Sequence, residues 1–530
     1  MALRIYNTRT GDKELFTPLN PGSVGMYVCG VTTYNLCHIG HGRASVVFDV
    51  VYRELKRRGY AVTYVRNYTD VDDKIIRRAH EEGLTALQVA DKYVEATAVD
   101  MMALGCLPPT HTPRVTEHID DIVSLVDTLV HKEHAYAVPS GDVYFSVGSF
   151  SPYGNFSGRN VDDLKAGARV EINEQKASPV DFALWKGAKP GEPAWQSPWG
   201  EGRPGWHIEC SAMCVHYLGK TFDIHGGGSD LIFPHHENEI AQSEAANGTP
   251  LASYWMHNGM ITVNQEKMSK SLNNFFTIRD ALERFHRESI RVFLLSTQYR
   301  NPVDFSNESL EEAEAGLERL YQALAQAEKL LGRDKTPRGA AMRTLLERPV
   351  EQLLSQKPWE GQESPWDLKP HYTSAHEKEL LALAIQTLTQ LEEAMDDDFN
   401  SARAMGHLFE LARGIGRLGA LQPKGGTGTP AALGTALIVL RGFASQVLGL
   451  LTERPEAFSR DLNLRRLKGL AITEAEIVAQ IAARKQARSE KRWSDSDAIR
   501  DSLAAAGVVL EDSPEGTLWK IPGRVVQDEG

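Results

Sequence analysis

A chain of 530 residues is several times longer than a typical domain, so about two to four domains are expected. Apolar residues at 42% and charged residues at 24% are ordinary for a soluble globular protein and exclude a largely disordered chain. The balance of 58 basic against 70 acidic residues gives a net charge of −12, which excludes a protein coated in positive charge for indiscriminate nucleic-acid binding. A local basic patch that binds RNA is still compatible with this charge.

The five cysteines are too few for a disulfide framework, which favours a reducing compartment. The first ten residues, MALRIYNTRT, lack the apolar core of a secretory signal. Residues 432–451 come closest to a membrane span, but Arg441 and Gln446 interrupt them and favour a buried bundle helix. We therefore expect a cytoplasmic protein without membrane contact.

The first recognisable pattern is a strand, a loop, a helix and a second strand. Residues 24–32 form an apolar run that predicts a buried strand. Apolar residues then recur at helical spacing from Gly42 to Leu55 and predict a helix that ends before Gly59. Residues 61–65 predict the second strand. This order is typical of a βαβ unit with parallel strands.

The stretch that follows interrupts this alternation with helical patterns, prolines and the turn-rich segment SPYGNFSGRN, which favours an inserted domain. Strands are predicted again at 222–225 and 260–263, with a helix at 234–246. We therefore predict an α/β, Rossmann-type nucleotide-binding domain that is split by an insertion. The expected boundaries are 1–80 and 201–285 for the two halves and 81–200 for the insertion.

Helical patterns dominate the remainder of the chain. Leucine and alanine recur at three-four spacing from Leu310 to Leu331, which is typical of a helix bundle. The predicted bundle domain covers 286–453 and contains an insertion at 333–374 that is rich in Pro, Gly, Gln and charged residues.

A small α+β module is expected at residues 454–530. Two capping-box patterns, Thr473 with Glu476 and Ser494 with Asp497, predict the starts of two helices. Two short apolar segments around a turn then predict a closing hairpin.

Residues 38–41, His-Ile-Gly-His, lie between the first predicted strand and its helix, where backbone N–H groups and the helix dipole favour anions. Gly40 allows a phosphate chain to approach the backbone. His38 and His41 could donate hydrogen bonds to a triphosphate whose charge grows in the transition state. A single histidine at a helix start is more often a capping or core residue. The phosphate-binding interpretation therefore depends on the position of these residues between a strand and a helix.

Residues 267–271, Lys-Met-Ser-Lys-Ser, follow a predicted strand and suit two ammonium groups that close over the β- and γ-phosphates. Alone, this pattern is more often a basic surface loop. We call residues 38–41 the HIGH segment and residues 267–271 the KMSKS segment. A split α/β fold with the HIGH segment near its start and the KMSKS segment near its end resembles class I aminoacyl-tRNA synthetases. The resemblance implies catalytic roles for His38, His41, Lys267 and Lys270, and ATP contacts from His38, Gly40, His41 and Lys270, with Mg²⁺ accompanying ATP.

Longer segments resemble the cysteine-specific family within that class. They are MYVCGVTTYNLCHIGHGR, YVRNYTDVDDKI, RPGWHIECSAM, FDIHGGGSDLIFPHHENEIAQS and KMSKSLNNFFTIRD. The resemblance implies ATP-dependent ligation of L-cysteine to tRNA(Cys) through cysteinyl-adenylate. It also implies a monomeric, cytoplasmic enzyme whose partners are ATP, L-cysteine and tRNA(Cys).

The family binds one zinc ion that contacts the substrate thiol, and its ligands fall on Cys29, Cys210, His235 and Glu239 of this sequence. Zinc favours thiolate over hydroxyl, so such a site selects cysteine against serine. A purely apolar pocket rejects such an isostere poorly and would require editing.

Spacing alone does not single out these four residues. Cys214 forms a CxxxC pattern with Cys210, with His216 close by, and His236 competes with His235. The resemblance also places around the substrate cysteine Gly30, Thr69, Trp206, His225 and Asp230. In that arrangement Trp206 forms an aromatic wall and Asp230 meets the α-ammonium group.

The segments ARSEKRWSDSDAIRD and VLEDSPEGTLW resemble the anticodon-binding end of the family. They imply anticodon contacts from Arg488, Trp493, Asp497 and Asp512. Trp493 could stack on a base. The competing interpretation is that Trp493 belongs to the core of the small module.

Two alternative functions are compatible with parts of the sequence. A ligase of the same fold that joins cysteine to an amino sugar should lack the module at 454–530. A tRNA-binding paralogue without catalysis should have lost the HIGH or KMSKS segment, and both are present here.

Overall fold

A computed structural model of the chain describes residues 2–160, 175–263, 266–267, 276–333, 337–348, 375–421, 430–513 and 516–523. At the amino end, strands β1 (Arg4–Asn7) and β2 (Asp12–Leu15) form an antiparallel pair. Next come β3 (Ser23–Thr32), α1 (Ile39–Arg57) and β4 (Ala61–Thr69), with β3 and β4 parallel. This is the βαβ unit that the sequence predicts, and Val47, Val51 and Leu55 of α1 are buried against the sheet core.

The next elements leave the parallel sheet. Helices α2 (Asp73–Glu82), α3 (Ala86–Ala103) and α4 (Ile119–His131) are followed by an antiparallel sheet. Its four strands, in spatial order, are β5 (Ala135–Ala137), β6 (Val143–Phe145), β7 (Phe182–Gly187) and β8 (Gly202–Pro204). An antiparallel sheet between the two parts of a parallel one is consistent with an insertion.

The chain then returns to the parallel sheet through α5 (Trp206–Leu218), β9 (Phe222–Gly228), α6 (Glu237–Asn247) and β10 (Ala252–Asn258). The order β10-β9-β3-β4 is parallel throughout. A distorted turn, Ile232–His236, leads into α6. Because carboxyl ends of parallel strands share one edge, Cys29, Thr69 and the glycine run after His225 come to the same side of the sheet.

A smaller sheet follows the parallel one. Strand β11 (Ile261–Val263) pairs antiparallel with β12 (Glu266–Lys267) and parallel with β13 (Val303–Phe305). Between β12 and β13 lie α7 (Ile278–Arg284) and α8 (Arg287–Leu294).

The bundle consists of α9 (Asn307–Arg333), α10 (Pro337–Leu346), α11 (Ala375–Asp396), α12 (Ser401–Leu421) and α13 (Pro430–Leu437). Two π-helical segments, Ile438–Gly442 and Ala444–Leu448, continue α13. The predicted seam of α9 is buried from Leu310 to Leu331. Among the described residues, Ala431–Leu448 is long and apolar enough to cross a membrane, and 78% of it is buried inside the chain.

The terminal module contains α14 (Pro455–Leu467), α15 (Glu474–Ser489), α16 (Trp493–Ala505) and the hairpin β14 (Val509–Ser513) with β15 (Gly516–Lys520). The capping box of Thr473 and Glu476 is confirmed. The one predicted for Ser494 and Asp497 is wrong, because Lys491 adopts a left-handed conformation (φ 61°) that ends α15 sharply and lets α16 begin at Trp493.

A buried ion pair fixes the helix after the HIGH segment to the bundle. Arg291 Nη2 of α8 lies 2.7 Å from Asp49 Oδ2 of α1, and both side chains are buried. The same guanidinium donates from Nε to the Leu448 carbonyl oxygen at 2.9 Å. Asp49 also accepts from the Leu107 amide at 2.8 Å. Arg53 of α1 also bonds to Asp49 Oδ2, at 2.8 Å, and to the Ser445 carbonyl oxygen, at 3.4 Å. The position of α1 is therefore coupled to the bundle through Arg291 together with Arg53.

Replacement of Arg291 by methionine should destabilise this junction by about 2 kcal/mol, because the change removes the side-chain donor to the buried Leu448 carbonyl and leaves Arg53 as the remaining cationic partner of Asp49. The matched control is Arg287→Ala on the same helix, whose partly exposed side chain bonds to Thr452 and Glu453. Calorimetry should show a lower unfolding temperature for Arg291→Met and a near-normal one for Arg287→Ala. Equal unfolding temperatures would contradict the importance of the buried pair.

Candidate active site and metal centre

Four predicted ligands converge at the carboxyl edge of the parallel sheet. Cys29 lies near the end of β3, Cys210 in α5, His235 in the turn before α6, and Glu239 in α6; all four are buried. One ligand atom from each lies within 4.8 Å of the others. The two Sγ atoms are 3.7 Å apart. The structure therefore forms one pocket from segments that are far apart in the sequence.

The two oxygens of Glu239 face different partners. Oε1 lies 3.4 Å from Cys29 Sγ and 3.0 Å from His235 Nε2. Oε2 lies 2.8 Å from Nε2 of His225, which is also buried. One oxygen is thus presented to the cluster while His225 holds the other in place.

His236 and Cys214, the rivals left open by spacing, occupy different positions. His236 Nε2 lies 3.3 Å from Cys29 Sγ, and its Nδ1 lies 2.8 Å from His257 Nε2. A second group of convergent atoms accordingly contains Cys29, His225, His236 and Glu239. Within the described residues, Cys214 belongs to neither group, although it is buried one helical turn beyond Cys210.

The protonation of the cluster reflects its burial. Burial and a hydrogen bond to Cys210 raise the pKa of Cys29 well above its usual value, and that same bond lowers the pKa of Cys210 to about 6. Burial disfavours charge on Glu239 and His235 as well. However, His225 and His235 hold the pKa of Glu239 well below its usual range, and Glu239 raises the pKa of His235 to about 10. Three acidic groups around one imidazolium favour a bound cation.

Two residues of the predicted cysteine pocket lie beside this cluster: Trp206 contacts His235, and Gly30 contacts Asn67. The Trp206 ring stacks on His235, with centroids 4.4 Å apart and planes at 27°. Gly30 lies at an irregularity in the β3–β4 pairing, and its amide donates to Asn67 Oδ1 at 2.9 Å. A Cβ at position 30 would come within 1.6 Å of the Asn67 carbonyl oxygen, so only glycine fits.

Two other predicted pocket residues lie around this centre. Thr69 is buried at the end of β4, and its hydroxyl donates to Glu209 Oε2 at 2.9 Å. Asp230 is exposed in the short turn Ser229–Leu231 after β9, at the rim of the same sheet edge. In the part of the chain that the structure describes, Asp230 belongs to none of the convergent metal-binding groups.

Four further residues of the site were not identified from the sequence: Asn67, His207, Glu209 and His257. His207 Nδ1 lies 3.0 Å from His235 Nδ1, and Asn67 Oδ1 lies 3.8 Å from Cys210 Sγ. His257 links His236 to the Thr8 hydroxyl at 2.8 Å. Two of them could have been found from the sequence, because His207 and Glu209 lie within one helical turn of the predicted ligand Cys210.

The HIGH segment forms the amino end of α1. His38 is the N-cap residue, and its Nδ1 accepts from the Gly40 amide at 3.1 Å. His41 Nδ1 accepts from the His38 amide at 3.3 Å, and the two rings stack with centroids 3.7 Å apart. Burial, followed by His38 and nearby cations, lowers the pKa of His41 well below its usual value. Because both Nδ1 atoms accept, the proton of each ring lies on Nε2 and can be donated from there.

The chain just after the KMSKS segment is tied to the HIGH segment. The Ile39 amide donates to the Phe276 carbonyl at 3.1 Å, and the Ile278 amide donates to the Cys37 carbonyl at 3.0 Å. Lys267 lies in β12, of which the backbone is described. Lys270 lies outside the described residues.

The four predicted anticodon residues lie in the terminal module. Both oxygens of Asp512 accept from Arg484, at 2.7 and 2.8 Å, and Arg488 Nη1 donates to Oδ2 at 2.8 Å. Trp493 is 57% exposed, so the interpretation of Trp493 as a core residue is wrong. Asp497 is exposed on the same helix.

Three protein-family models match successive parts of this chain. Residues 15–315 match the tRNA synthetases class I (C) catalytic domain, 390–452 the DALR domain, and 473–519 the cysteinyl-tRNA ligase anticodon binding domain. Among solved structures, methionyl-tRNA synthetase of Mycobacterium tuberculosis with methionyl-adenylate gives a TM-score of 0.58 at 14% identity. That match covers 83% of this chain and 94% of the other, and it shows a common fold.

Two curated relatives are much closer in sequence. The cysteine–tRNA ligase of Geobacter metallireducens is 52% identical and that of Pelobacter propionicus 51%, and each match covers 98% of this chain and 100% of the relative. The chain therefore belongs to the cysteine–tRNA ligase family, class I aminoacyl-tRNA synthetases that ligate cysteine to its tRNA with ATP.

Proposed function

We propose that Cys29, Cys210, His235 and Glu239 bind a zinc ion that selects L-cysteine for activation and transfer to tRNA(Cys). The observation that carries this proposal is the convergence of two buried thiols, one imidazole and one carboxylate oxygen within 4.8 Å. Two sulfur donors disfavour Mg²⁺ and Ca²⁺, which prefer oxygen, and suit zinc.

The distances in the cluster agree with this donor set. Two thiolates at about 2.3 Å from a tetrahedral zinc ion stand roughly 3.8 Å apart. The Sγ atoms of Cys29 and Cys210 are 3.7 Å apart. Glu239 Oε1 approaches both Cys29 and His235, whereas His225 bonds to Oε2. These contacts favour His235 as the ligand, with His225 orienting Glu239 and His236 contacting Cys29.

Selectivity follows from the chemistry of the donors. A zinc ion held by Cys29, Cys210, His235 and Glu239 would supply a site that favours a thiolate ligand over a hydroxyl, and therefore cysteine over serine. Trp206, stacked on His235, would form one wall of the pocket, and Gly30 lets the backbone of β3 lie directly against Asn67. Thr69 and Asp230 would position the amino acid, with Asp230 meeting its α-ammonium group.

In the first step, an oxygen of the cysteine carboxylate attacks the α-phosphorus of ATP, and pyrophosphate leaves with the electrons of the broken P–O bond. The Nε2–H groups of His38 and His41 donate to the phosphates at the positive end of α1. Gly40 allows close approach of the phosphates, and Lys267 and Lys270 stabilise the departing pyrophosphate, with Mg²⁺ accompanying ATP. In the second step, a terminal ribose hydroxyl of tRNA(Cys) attacks the acyl carbon and AMP leaves.

The terminal module supports tRNA as the acceptor over an amino sugar. Its match to an anticodon-binding domain spans 473–519, and the curated relatives are matched over their whole length. Trp493 would stack on an anticodon base. Arg488 and Asp497 would contact base edges, and Asp512 would face the anticodon beside Arg488. Because Arg484 and Arg488 hold Asp512, its role would be to orient Arg488.

Removal of one thiol at a time should show whether Cys210 or Cys214 is the zinc ligand. Cys210→Ala should lose the bound zinc and at least a hundredfold in cysteine-dependent exchange of pyrophosphate into ATP, because one zinc ligand is lost. Cys214→Ala, one turn away in the same helix, should retain both the metal and the exchange. Metal content by mass spectrometry and exchange with cysteine or serine are the measurements. Loss of zinc in Cys214→Ala alone, or undiminished exchange by zinc-free protein, would refute the assignment.

Replacement of Trp493 by alanine tests the anticodon contact. Stacking of a base on an aromatic ring contributes about 1–3 kcal/mol, so kcat/KM for tRNA(Cys) should fall roughly tenfold or more. Exchange of pyrophosphate should stay unchanged, because the substitution is remote from the HIGH segment. Leu518→Ala, an exposed apolar position in the same module, serves as the control. Equal aminoacylation by the two variants would remove Trp493 from the tRNA interface.

A further inference from the structure

A second group of metal-binding side chains lies between α4 and α5. His118 directly precedes α4, Asp121 lies in its first turn, and His216 lies in the last turn of α5. The Nδ1 atoms of His118 and His216 lie 2.9 and 3.0 Å from the same atom, Asp121 Oδ2. All three ligand atoms lie within 4.8 Å of one another.

This group is separate from the cysteine site. His216 follows Cys210 by six residues in α5, which places it about 9 Å further along the helix and on a different face. His118 and Asp121 come from α4, which contributes no residue to the convergent group around Cys29. The two groups therefore share a helix but no ligand.

The contacts of His118 match those of a metal-binding histidine. Its Nδ1 faces Asp121, and its Nε2 lies 3.2 Å from the Tyr217 hydroxyl. Histidines that bind metals usually hydrogen-bond through the other ring nitrogen, which fixes the tautomer and the ring orientation. The His118 ring is buried, so this orientation is maintained by its surroundings.

Distances and exposure also suit an ion. Ligands at about 2.1 Å from a tetrahedral zinc ion stand roughly 3.4 Å apart, so the two N–O pairs, at 2.9 and 3.0 Å, need to separate by only about 0.4 Å to admit one. Asp121 and His216 have side chains 41% and 46% exposed. Solvent can therefore deliver the ion and supply its remaining ligands.

We propose that His118, Asp121 and His216 form a second, exchangeable binding site for a divalent transition-metal ion of the zinc type. Two imidazoles and one carboxylate are a donor set for such ions, rather than for Mg²⁺ or Ca²⁺. Occupation of the site links the start of α4 to the end of α5, the helix that carries Cys210. The competing state is metal-free, with both imidazoles donating hydrogen bonds to Asp121.

Equilibrium dialysis of the full chain against buffered Zn²⁺ at tens of micromolar tests this site. The wild type should bind one more ion per chain than His216→Ala or Asp121→Asn, both of which change exposed side chains. His131→Ala is the matched control, because His131 pairs with Asp127 at 3.2 Å in the same helix and belongs to no convergent metal-binding group among the described residues. It should bind as many ions as the wild type.

The outcomes distinguish this site from the cysteine site. If His216→Ala and Asp121→Asn bind as many ions as the wild type, the second site is refuted. If the wild type binds one ion and His216→Ala none, the second site stands and the zinc at Cys210 is refuted. If Cys210→Ala and His216→Ala each lose one of two ions and the double variant binds none, both sites stand.

Discussion

The burial of Cys29, Cys210 and Glu239 in one small volume is the constraint on which the rest of the site depends. Groups of the same potential charge are costly to desolvate together unless a cation or shared protons compensate them. Without metal, a hydrogen bond between the thiols and a charged His235 provide that compensation. In the proposed zinc-bound state, these three groups and His235 would be the ligands and would leave a position for a substrate thiolate.

The fold meets this constraint by bringing three elements together at the cluster. Strand β3 supplies Cys29, α5 supplies Cys210, and the distorted turn before α6 brings His235 and Glu239 onto one side. The same edge carries the HIGH histidines at the start of α1. The proposed sites for amino-acid selection and ATP binding therefore lie at the same edge of one parallel sheet. The buried Arg291–Asp49 pair connects α1, which packs on that sheet, to the chain that leads into the bundle.

Much of this architecture was predictable, for physical reasons that differ among its parts. The β3–α1–β4 unit and the α9 seam were predictable because local periodicity reports which face is buried. The union of Cys29 with Cys210 was not, because 181 residues separate them and only family resemblance joined them. His235 and His236 are adjacent in the sequence and both are buried, so neither the sequence nor burial distinguishes the proposed ligand. Their contacts do differ, because His235 lies beside Glu239 and His236 beside Cys29. The start of α16 was missed because a left-handed turn at Lys491 has no strong sequence signal.

The most direct test of the central claim is X-ray absorption at the zinc edge of the His216→Ala protein, loaded with one zinc ion per chain so that the second site does not contribute, with and without substrate. The account predicts two sulfur neighbours from Cys29 and Cys210 in the free enzyme, three after addition of L-cysteine, and two after addition of L-serine. An unchanged sulfur count with L-cysteine, or a zinc ion with no sulfur neighbours, would contradict it.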